Sequence, residues 1–210
     1  MNNEIYIVGG GTSLLNYNFD HLKGRDIIVI NKAFLHVPNA KYFVTMDVGF
    51  LNKTGSYYSK FKEFKATKIF ILNLANKFIK EEKGKIVDTR WNYIYKLNDF
   101  DIIIKSYNKG GMGYNFKDFR NGGNSGYCGL QLAVLLGYKK INLLGIDLII
   151  TENTHFHGGY GENYKIFEKK LLIYYDQFKK GLKELKKSGI KVYSCSKISK
   201  LNQIIPYKRL

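Results

Sequence analysis

The stretch EIYIVGGGTSL, residues 4–14, decides the fold class of this 210-residue chain. A short apolar run at residues 5–8 leads directly into Gly9, Gly10 and Gly11. An apolar run that does not alternate with polar residues is typical of a strand covered on both faces, as in a parallel sheet. Glycines that follow such a strand let backbone N–H groups approach a phosphate. The stretch therefore predicts the first strand of an α/β sheet, and a purely structural turn is the alternative interpretation of its glycines.

Further strands of the same kind alternate with helices along the chain. Apolar runs predict strands at 27–30, 40–47, 69–72, 101–105, 141–146 and 190–195. Helical spacing of apolar residues predicts a helix over 127–136, ended by Gly137, and a long amphipathic helix over 163–188, ended by Gly189. Strands that alternate with helices indicate an α/β fold. We expect one Rossmann-like domain over residues 1–210, with a mostly parallel sheet flanked by helices.

Residues 74–121 do not follow this pattern. The stretch mixes lysine, tyrosine and glycine around a single strand candidate, 101–105. Within it, NKGGMGYN at 108–115 is flexible by composition, since glycine lowers the cost of open conformations. We therefore expect an insertion or a lid here, rather than a part of the sheet.

The formal net charge of +17 comes mainly from lysine, because only four of the 34 basic residues are arginine. A field of this sign raises the local concentration of polyanions and phosphorylated ligands. The abundance of lysine, asparagine, isoleucine and tyrosine is also typical of an AT-rich genome, which leaves the functional meaning of the charge open. The scarcity of arginine disfavours readout of base edges, where bidentate arginine contacts dominate.

The remaining composition points to a cytoplasmic protein. Cys128 and Cys195 are too few for a disulfide framework and lack the spacing of metal ligands. The first residues show no basic segment followed by an apolar one, so we expect no signal peptide. No apolar run approaches the roughly 20 residues that span a bilayer.

Polar residues at predicted strand ends are the first candidates for a binding site. Gly9–Gly11 are followed by Thr12 and Ser13, but Leu14 stands where a dinucleotide-binding motif has its third glycine, and no P-loop lysine follows. Asn31 and Asp47 end the next two strands, where the ligand crevice of a parallel sheet lies. Each could equally be a helix cap.

Two further segments carry candidate side chains. NGGNSGY at 121–127 places Asn124, Ser125 and Gly126 at a helix start, either as a second glycine-lined cradle or as an N-cap. The segment THFHGGYG at 154–161 carries His155 and His157, which point the same way on an extended backbone. A neutral imidazole is the usual general base near pH 7.

Other interpretations of the two histidines remain open. They could bind a metal together with Asp147, which follows the strand at 141–146. The absence of any further histidine or cysteine cluster in the sequence disfavours this. They could also be solvated side chains of a surface loop.

Taken together, these motifs resemble a known family. GGGTSL, NKAF, GYKKINLLGIDL, THFHG and IKVYSC match in order and spacing the motifs of bacterial CMP-sialic-acid-dependent sialyltransferases of the Campylobacter type. Residues 74–121 have no counterpart there, and Thr12 replaces a proline. A wider resemblance is to flagellin-modification motility accessory factors and a 6-hydroxymethylpterin diphosphokinase. Phage and prophage proteins with GGNSGY and HFHGDH-type motifs are more similar still, but imply no activity.

The resemblance implies a nucleotide-sugar-dependent, inverting and metal-independent glycosyltransferase. His157, or with less support His155, would be its general base. No cofactor is implied besides a CMP- or UDP-linked sugar donor, and the acceptor would be a glycan or a nucleic acid. We predict that the nucleotide lies on Gly9, Gly10, Gly11, Thr12, Ser13, Asn31, Asp47, Asn124, Ser125, Gly126 and Asp147.

Two alternative functions are kept beside this one. The first is a Mg²⁺-dependent diphosphokinase-like phosphotransferase, in which Asp47 and Asp147 would hold the metal. The second is a phage protein that binds or modifies nucleic acid, which the charge of +17 favours. A homo-oligomer is compatible with all of these functions.

Overall fold

A seven-stranded parallel sheet forms the centre of the molecule. The computed structural model describes residues 3–47, 56–76, 78–83, 85–88, 93–96, 99–157 and 164–210. In chain order the strands are β1 Glu4–Val8, β2 Asp26–Ile30, β3 Tyr42–Thr45, β4 Thr67–Asn73, β5 Ile79–Glu82, β6 Lys85–Asp88, β7 Tyr93–Lys96, β8 Ile102–Ser106, β9 Lys140–Leu144 and β10 Lys191–Ser194. The main sheet has the order β10-β9-β1-β2-β3-β4-β8 with every neighbouring pair parallel. The predicted α/β fold with a parallel sheet is confirmed.

Strands β5, β6 and β7 form a second, smaller sheet. They pair antiparallel in that order, between β4 and β8 in the chain. An ion pair at 3.8 Å joins Glu81 to Lys105 of β8, although the two side chains are 40% and 65% exposed and such a pair stabilises little. Strand β8 lies within the predicted insertion, 74–121, but it is the edge strand of the main sheet. The segment outside the main sheet is therefore shorter than predicted. Its use as a lid stays a prediction.

Within the described ranges the α-helices are α1 Ser56–Glu63, α2 Ser125–Leu135 and α3 Tyr164–Lys187. Helix α2 contacts β1, β2 and β3, and its first nine residues are all buried. It begins two residues before the predicted helix because Asn124 caps it. Gly137 and Gly189 follow α2 and α3 with φ of +88° and +72°, which confirms both as left-handed helix ends.

Both faces of the main sheet are buried, as its apolar strands predict. Successive side chains of a strand point to opposite faces, so Ile5 and Ile7 lie in one core cluster while Tyr6 and Val8 lie in the other. The first cluster includes residues of α2 and α3. The second is rich in phenylalanine, and its rings meet at centroid distances of 5.1–6.4 Å, among them Phe34, Phe43, Phe61, Phe64, Phe70 and Phe100.

The segment NKGGMGYN is held in place by side chains outside it. The buried Gln131 of α2 accepts a hydrogen bond from the Gly113 N–H at 2.8 Å and donates one to the Gly113 carbonyl at 2.7 Å. Tyr127 donates to the Gly111 carbonyl at 2.7 Å, and Glu184 of α3 accepts from the Met112 N–H at 2.8 Å. The flexibility expected from glycine content stays a prediction, and these contacts oppose it because they tie residues 111–113 to α2 and α3.

The order of the strands determines where a ligand can enter. From β1 the chain adds β2, β3, β4 and β8 on one side, whereas β9 and β10 lie on the other. The connections that leave the carboxyl ends of β1 and β9 therefore diverge. In open α/β sheets, ligands bind in the crevice at such a switch point.

Candidate functional site

A cleft of about 410 Å³ opens at this switch point. Its volume lies within the range of small-molecule sites. It is bordered by the segments that follow β1, β2, β3 and β9, by the amino end of α2, and by one face of α3. The predicted site residues that line it are Gly9, Gly10, Gly11, Asn31, Asp47, Asn124, Ser125, Gly126, Asp147 and His155. Thr12, Ser13 and His157 were also predicted, and they lie outside its lining.

The glycine turn after β1 packs directly on the turn after β9. The Gly9 N–H donates to the Leu144 carbonyl and the Gly11 N–H to the Gly145 carbonyl, each at 2.8 Å. A Cβ atom on Gly11 would overlap the carboxylate of Asp147. Glycine is therefore required at position 11 by this close approach, and the structural interpretation of the turn holds whether or not a phosphate binds.

Asp147 connects the same two turns through its side chain. Asp147 is only 3% exposed. Its carboxylate accepts hydrogen bonds from the Ser13 N–H at 2.8 Å and from the Ser13 hydroxyl at 2.7 Å. Both carboxylate oxygens are thus engaged by Ser13. Among the residues that the structure describes, no three His, Cys, Asp or Glu side chains are grouped as a metal would require.

The amino end of α2 borders the cleft opposite these turns. Asn124 is the N-cap and accepts from the Tyr127 N–H at 2.8 Å. The first N–H groups of a helix have no partner within it, and the helix dipole adds partial positive charge there. The Ser125 hydroxyl accepts from the Met46 N–H at 3.3 Å, which ties α2 to the end of β3. Both interpretations of the NGGNSGY segment, as cap and as cradle for an anion, are compatible with this geometry.

Asn31 and Asp47 occupy neighbouring strand ends. The Thr45 hydroxyl lies 2.7 Å from Asn31 Oδ1, 2.6 Å from the Asp47 carbonyl and 3.0 Å from the Asp47 N–H. The backbone of Asn31 has φ of +50°, a left-handed conformation that asparagine tolerates better than most residues. In this conformation the Asn31 side chain contacts Thr45. It does not cap the 3-10 turn Asn31–Leu35, which has no side-chain cap.

The two histidines lie on a loop that packs on the glycine turn. The Phe156 N–H donates to the Gly10 carbonyl at 3.0 Å. The rings of His155 and His157 stack with centroids 5.0 Å apart and planes at 19°, so the prediction that they point the same way is confirmed. A Cβ atom on Gly10 would lie 2.7 Å from His155 Cδ2 and 2.9 Å from His157 Nε2. Gly10 therefore permits the close packing of this loop.

The two histidines have different surroundings. His155 lines the cleft and its ring lies 5.7 Å from that of Phe167 on α3. His157 lies beside the Phe156 ring at 5.2 Å. Burial, followed by the proximity of His155 and Lys32, lowers the pKa of His157 to about 4. His157 is therefore neutral at pH 7 and weakly basic.

One face of α3, which the sequence did not single out, closes the cleft. Phe167, Lys170, Leu171 and Tyr174 line it with the i, i+3, i+4, i+7 spacing of a single helix face. Burial, and then the charge of Asp47, raise the pKa of Tyr174. The helical spacing could have identified this face, although nothing in the sequence says that the face meets a ligand cleft rather than the core.

A further acidic pattern lies away from the cleft. Asp99-Phe100-Asp101 has the Asp-x-Asp spacing that can hold a metal, and it precedes β8 at the amino-terminal edge of the sheet. Asp101 accepts from the Lys68 N–H at 2.7 Å, and Asp99 accepts from the Tyr58 hydroxyl at 2.9 Å. The triplet is on the opposite edge from the switch point and takes no part in the candidate site.

The molecule is similar to solved glycosyltransferases. The sialyltransferase CstII from Campylobacter jejuni, in complex with the substrate analogue CMP-3FNeuAc, has a TM-score of 0.58 and 17% identity over 97% of this chain and 86% of its own. The sialyltransferase CST-II with trisaccharide acceptor and CMP has a TM-score of 0.57 and 16% identity over 97% and 85%. The likeness establishes the fold.

A larger protein shares the same fold over part of its length. MAf glycosyltransferase from Magnetospirillum magneticum AMB-1 has a TM-score of 0.53 and 15% identity over the whole of this chain, which spans about a third (34%) of that protein. No protein-family model and no curated protein sequence matches this chain. None of the helices in the described ranges is both long and apolar enough to cross a membrane.

Proposed function

We propose that this protein is a glycosyltransferase that moves a sugar from a nucleotide-activated donor to an acceptor hydroxyl. The observation that carries the proposal is the convergence of the glycine turn after β1, the amino end of α2 and His155 at one cleft. The likeness to sialyltransferase complexes with CMP-3FNeuAc, and with trisaccharide acceptor and CMP, supports a CMP-linked sugar as donor. A UDP-linked sugar stays the alternative donor.

In this proposal the amino end of α2 holds the donor phosphate. Ser125 and Gly126 present the first N–H groups of the helix to the cleft. When the bond between the sugar and the phosphate breaks, the phosphate gains negative charge, and preoriented N–H groups stabilise it there. Asn31 and Asp47, at the adjacent strand ends, lie where they would contact the ribose or the sugar.

His155 is the general base in this proposal, ahead of His157. His155 borders the cleft, whereas the lowered pKa of His157 suits a base at pH 7 poorly. His155 takes the proton of the acceptor hydroxyl while that oxygen bonds to the anomeric carbon and the phosphate departs. A single displacement of this kind inverts the anomeric configuration. The sequence favoured His157 over His155 as the base, and this proposal reverses that preference.

The alternative functions have less support. A Mg²⁺-dependent phosphotransferase would use Asp47 and Asp147, yet Ser13 already engages both oxygens of Asp147. A nucleic-acid protein rests on the net charge of +17 and on the resemblance to phage proteins. Both remain hypotheses that the following experiments separate from the first.

Nucleotide binding is tested first. The melting temperature would be measured with CMP, UDP, GDP and ATP, because a bound nucleotide stabilises in proportion to its affinity and concentration. We expect a rise with CMP or UDP. A rise with ATP that needs Mg²⁺ would favour the phosphotransferase, and no rise with any nucleotide would contradict the proposal.

Transfer itself is tested with the histidine variants. Release of nucleotide from CMP-sialic acid and from UDP-sugars would be measured with and without EDTA. His155→Ala should lower turnover roughly 10²–10⁴-fold with nucleotide-induced stabilisation intact. His21→Ala is the matched control, since His21 is exposed and outside the cleft lining. Turnover that is lost in His157→Ala and kept in His155→Ala would contradict the assignment of the base.

A further inference from the structure

A second cavity, of about 650 Å³, lies between the carboxyl-terminal half of α3, strand β10 and residues 204–206. It shares no lining residue with the cleft. Its floor is aliphatic and includes the buried Leu182, Ile190 and Val192 and the half-buried Ile204 and Ile205. The volume is within the range of small-molecule sites, so the floor can take up an apolar group of considerable size.

Four lysines surround this apolar floor: Lys179, Lys183 and Lys186 from α3, and Lys191 from β10. The three on α3 are four and three residues apart, so they form a row on one face of the helix. Among the described residues none of the four forms an ion pair. In the part of the chain that the structure describes, no acidic residue lines the cavity. The described rim is therefore a cluster of positive charge without a carboxylate among its lining residues.

The carboxyl-terminal half of α3 has two acidic residues, Asp176 and Glu184, and neither is among the residues that line the cavity. Glu184 accepts a hydrogen bond from the Met112 N–H at 2.8 Å, on the side of α3 that faces α2 and the 107–121 segment. Its charge is thus directed to an internal contact. Lysines are thus the charged residues that α3 contributes to the described lining, above an aliphatic surface.

We propose that this cavity binds a single-chain anionic amphiphile, with the alkyl chain on the aliphatic floor and the anionic head group among the lysines. A second copy of this chain fits poorly, because a two-fold contact would bring two lysine rims together. A polyanion without a chain could bind the lysines, but it would leave the aliphatic floor in water. An amphiphile satisfies both parts of the site.

Chain length and head-group charge give the test its first readout. Binding of octyl, decyl and dodecyl phosphate, each below its micelle concentration, would be measured by calorimetry. Burial of each methylene should tighten binding about fourfold, from roughly 0.8 kcal/mol per methylene. Decanoate should also bind, whereas decyltrimethylammonium, with a cationic head, should not. Failure of the alkyl phosphates and of decanoate to bind would overturn the proposal.

Variants locate the binding. Lys183→Glu changes an exposed rim residue and should weaken decyl phosphate binding about tenfold, since it removes one favourable charge contact and adds a repulsive one. Lys187→Glu, exposed on the same helix and outside the lining, is the matched control and should leave the affinity within about twofold. Ile205→Asp should abolish binding by placing a carboxylate on the floor.

Circular dichroism and melting curves would verify that these variants remain folded. Equal affinities of the wild type, Lys183→Glu and Ile205→Asp would overturn the proposal, because binding would then lie elsewhere. Vesicles of phosphatidylglycerol form a separate arm of the experiment. Binding to vesicles without binding to any monomeric amphiphile would also overturn it, since the positive surface would then dock on a bilayer instead of filling the cavity.

Discussion

Ser13 and Asp147 join the turns at the two sides of the switch point, through hydrogen bonds of 2.8 Å and 2.7 Å to the two oxygens of one carboxylate. The residues are 134 positions apart in the sequence. Their contact holds the glycine turn after β1 against the turn after β9, and with it the wall of the cleft. The stability of the fold and the shape of the site are therefore coupled at this pair.

Replacement of Asp147 should destabilise the protein more than replacement of Ser13. Asp147→Ala leaves the Ser13 N–H and hydroxyl without their acceptor, which should cost about 1–3 kcal/mol of the free energy of unfolding. Ser13→Ala removes the hydroxyl and keeps the N–H bond, so about 0.5–1.5 kcal/mol is expected. Urea denaturation of both variants gives the comparison. Equal losses would show that the backbone hydrogen bond contributes nothing.

Gly11→Ala should destabilise by steric overlap and not by backbone strain. Gly11 has φ of −64°, which any residue adopts, but its Cβ would overlap the Asp147 carboxylate. Gly24→Ala is the opposite case, with φ of +72° and no atom within 4 Å of the new Cβ. We expect about 1 kcal/mol for Gly24→Ala, and a larger loss for Gly11→Ala together with weakened nucleotide binding.

Melting curves and nucleotide titrations of the two glycine variants decide this prediction. If Gly11→Ala keeps the stability and the nucleotide affinity of the wild type, the turns after β1 and β9 can move apart at little cost. Gly24→Ala should leave nucleotide binding unchanged, because Gly24 lies outside the cleft lining.

Many strands and helix ends were predictable because they depend on short stretches of sequence. After their first residue, strands such as β1 and β2 are continuous apolar runs, and the ends of α2 carry a capping asparagine and a left-handed glycine. The strand ends then place Asn31 and Asp47 in the crevice by topology alone. Local chemistry and sheet order together account for most of the cleft-lining residues that the sequence proposed.

The remainder depends on contacts between distant parts of the chain. Tertiary packing produces three such features: the left-handed backbone of Asn31, the hydrogen bond between Ser13 and Asp147, and the hydrogen bond between Gly113 and Gln131. The strands β5–β7 were not predicted, because IKEE and KIVD are short and rich in charge, unlike typical strands. The position of each histidine relative to the cleft likewise follows from how the loop packs on Gly10.

Gln131→Ala should loosen the segment that the sequence predicted to be flexible. The substitution leaves the buried Gly113 N–H and carbonyl without partners, and about 2–4 kcal/mol of the free energy of unfolding should be lost. Hydrogen exchange should rise across residues 108–115. Gln203→Ala is the control, since Gln203 is exposed and bonded only to Tyr175 among the described side chains. Unchanged exchange in Gln131→Ala would assign the order of the segment to its other contacts.

The stability of the protein should fall as pH decreases from about 6.5 to 4, because of His157. Its pKa is lowered to about 4 in the folded protein by burial, so the unfolded chain, with the ordinary value of 6.5, binds the proton more readily in this window. The stabilisation from neutral His157 is complete above pH 6.5 and declines below it. The loss should be at most about 3 kcal/mol, since the residue is partly exposed.

Urea denaturation between pH 4 and pH 7.5 measures this effect. His157→Asn should flatten the dependence of the free energy of unfolding on pH, because the group that takes up the proton is gone. His21→Asn, at an exposed histidine outside this loop, is the control for the loss of a histidine. A wild type whose stability is constant over this range, or a His157→Asn variant with an unchanged slope, would show that His157 is readily protonated in the folded protein. The loop on Gly10 would then accommodate a charged imidazole beside His155.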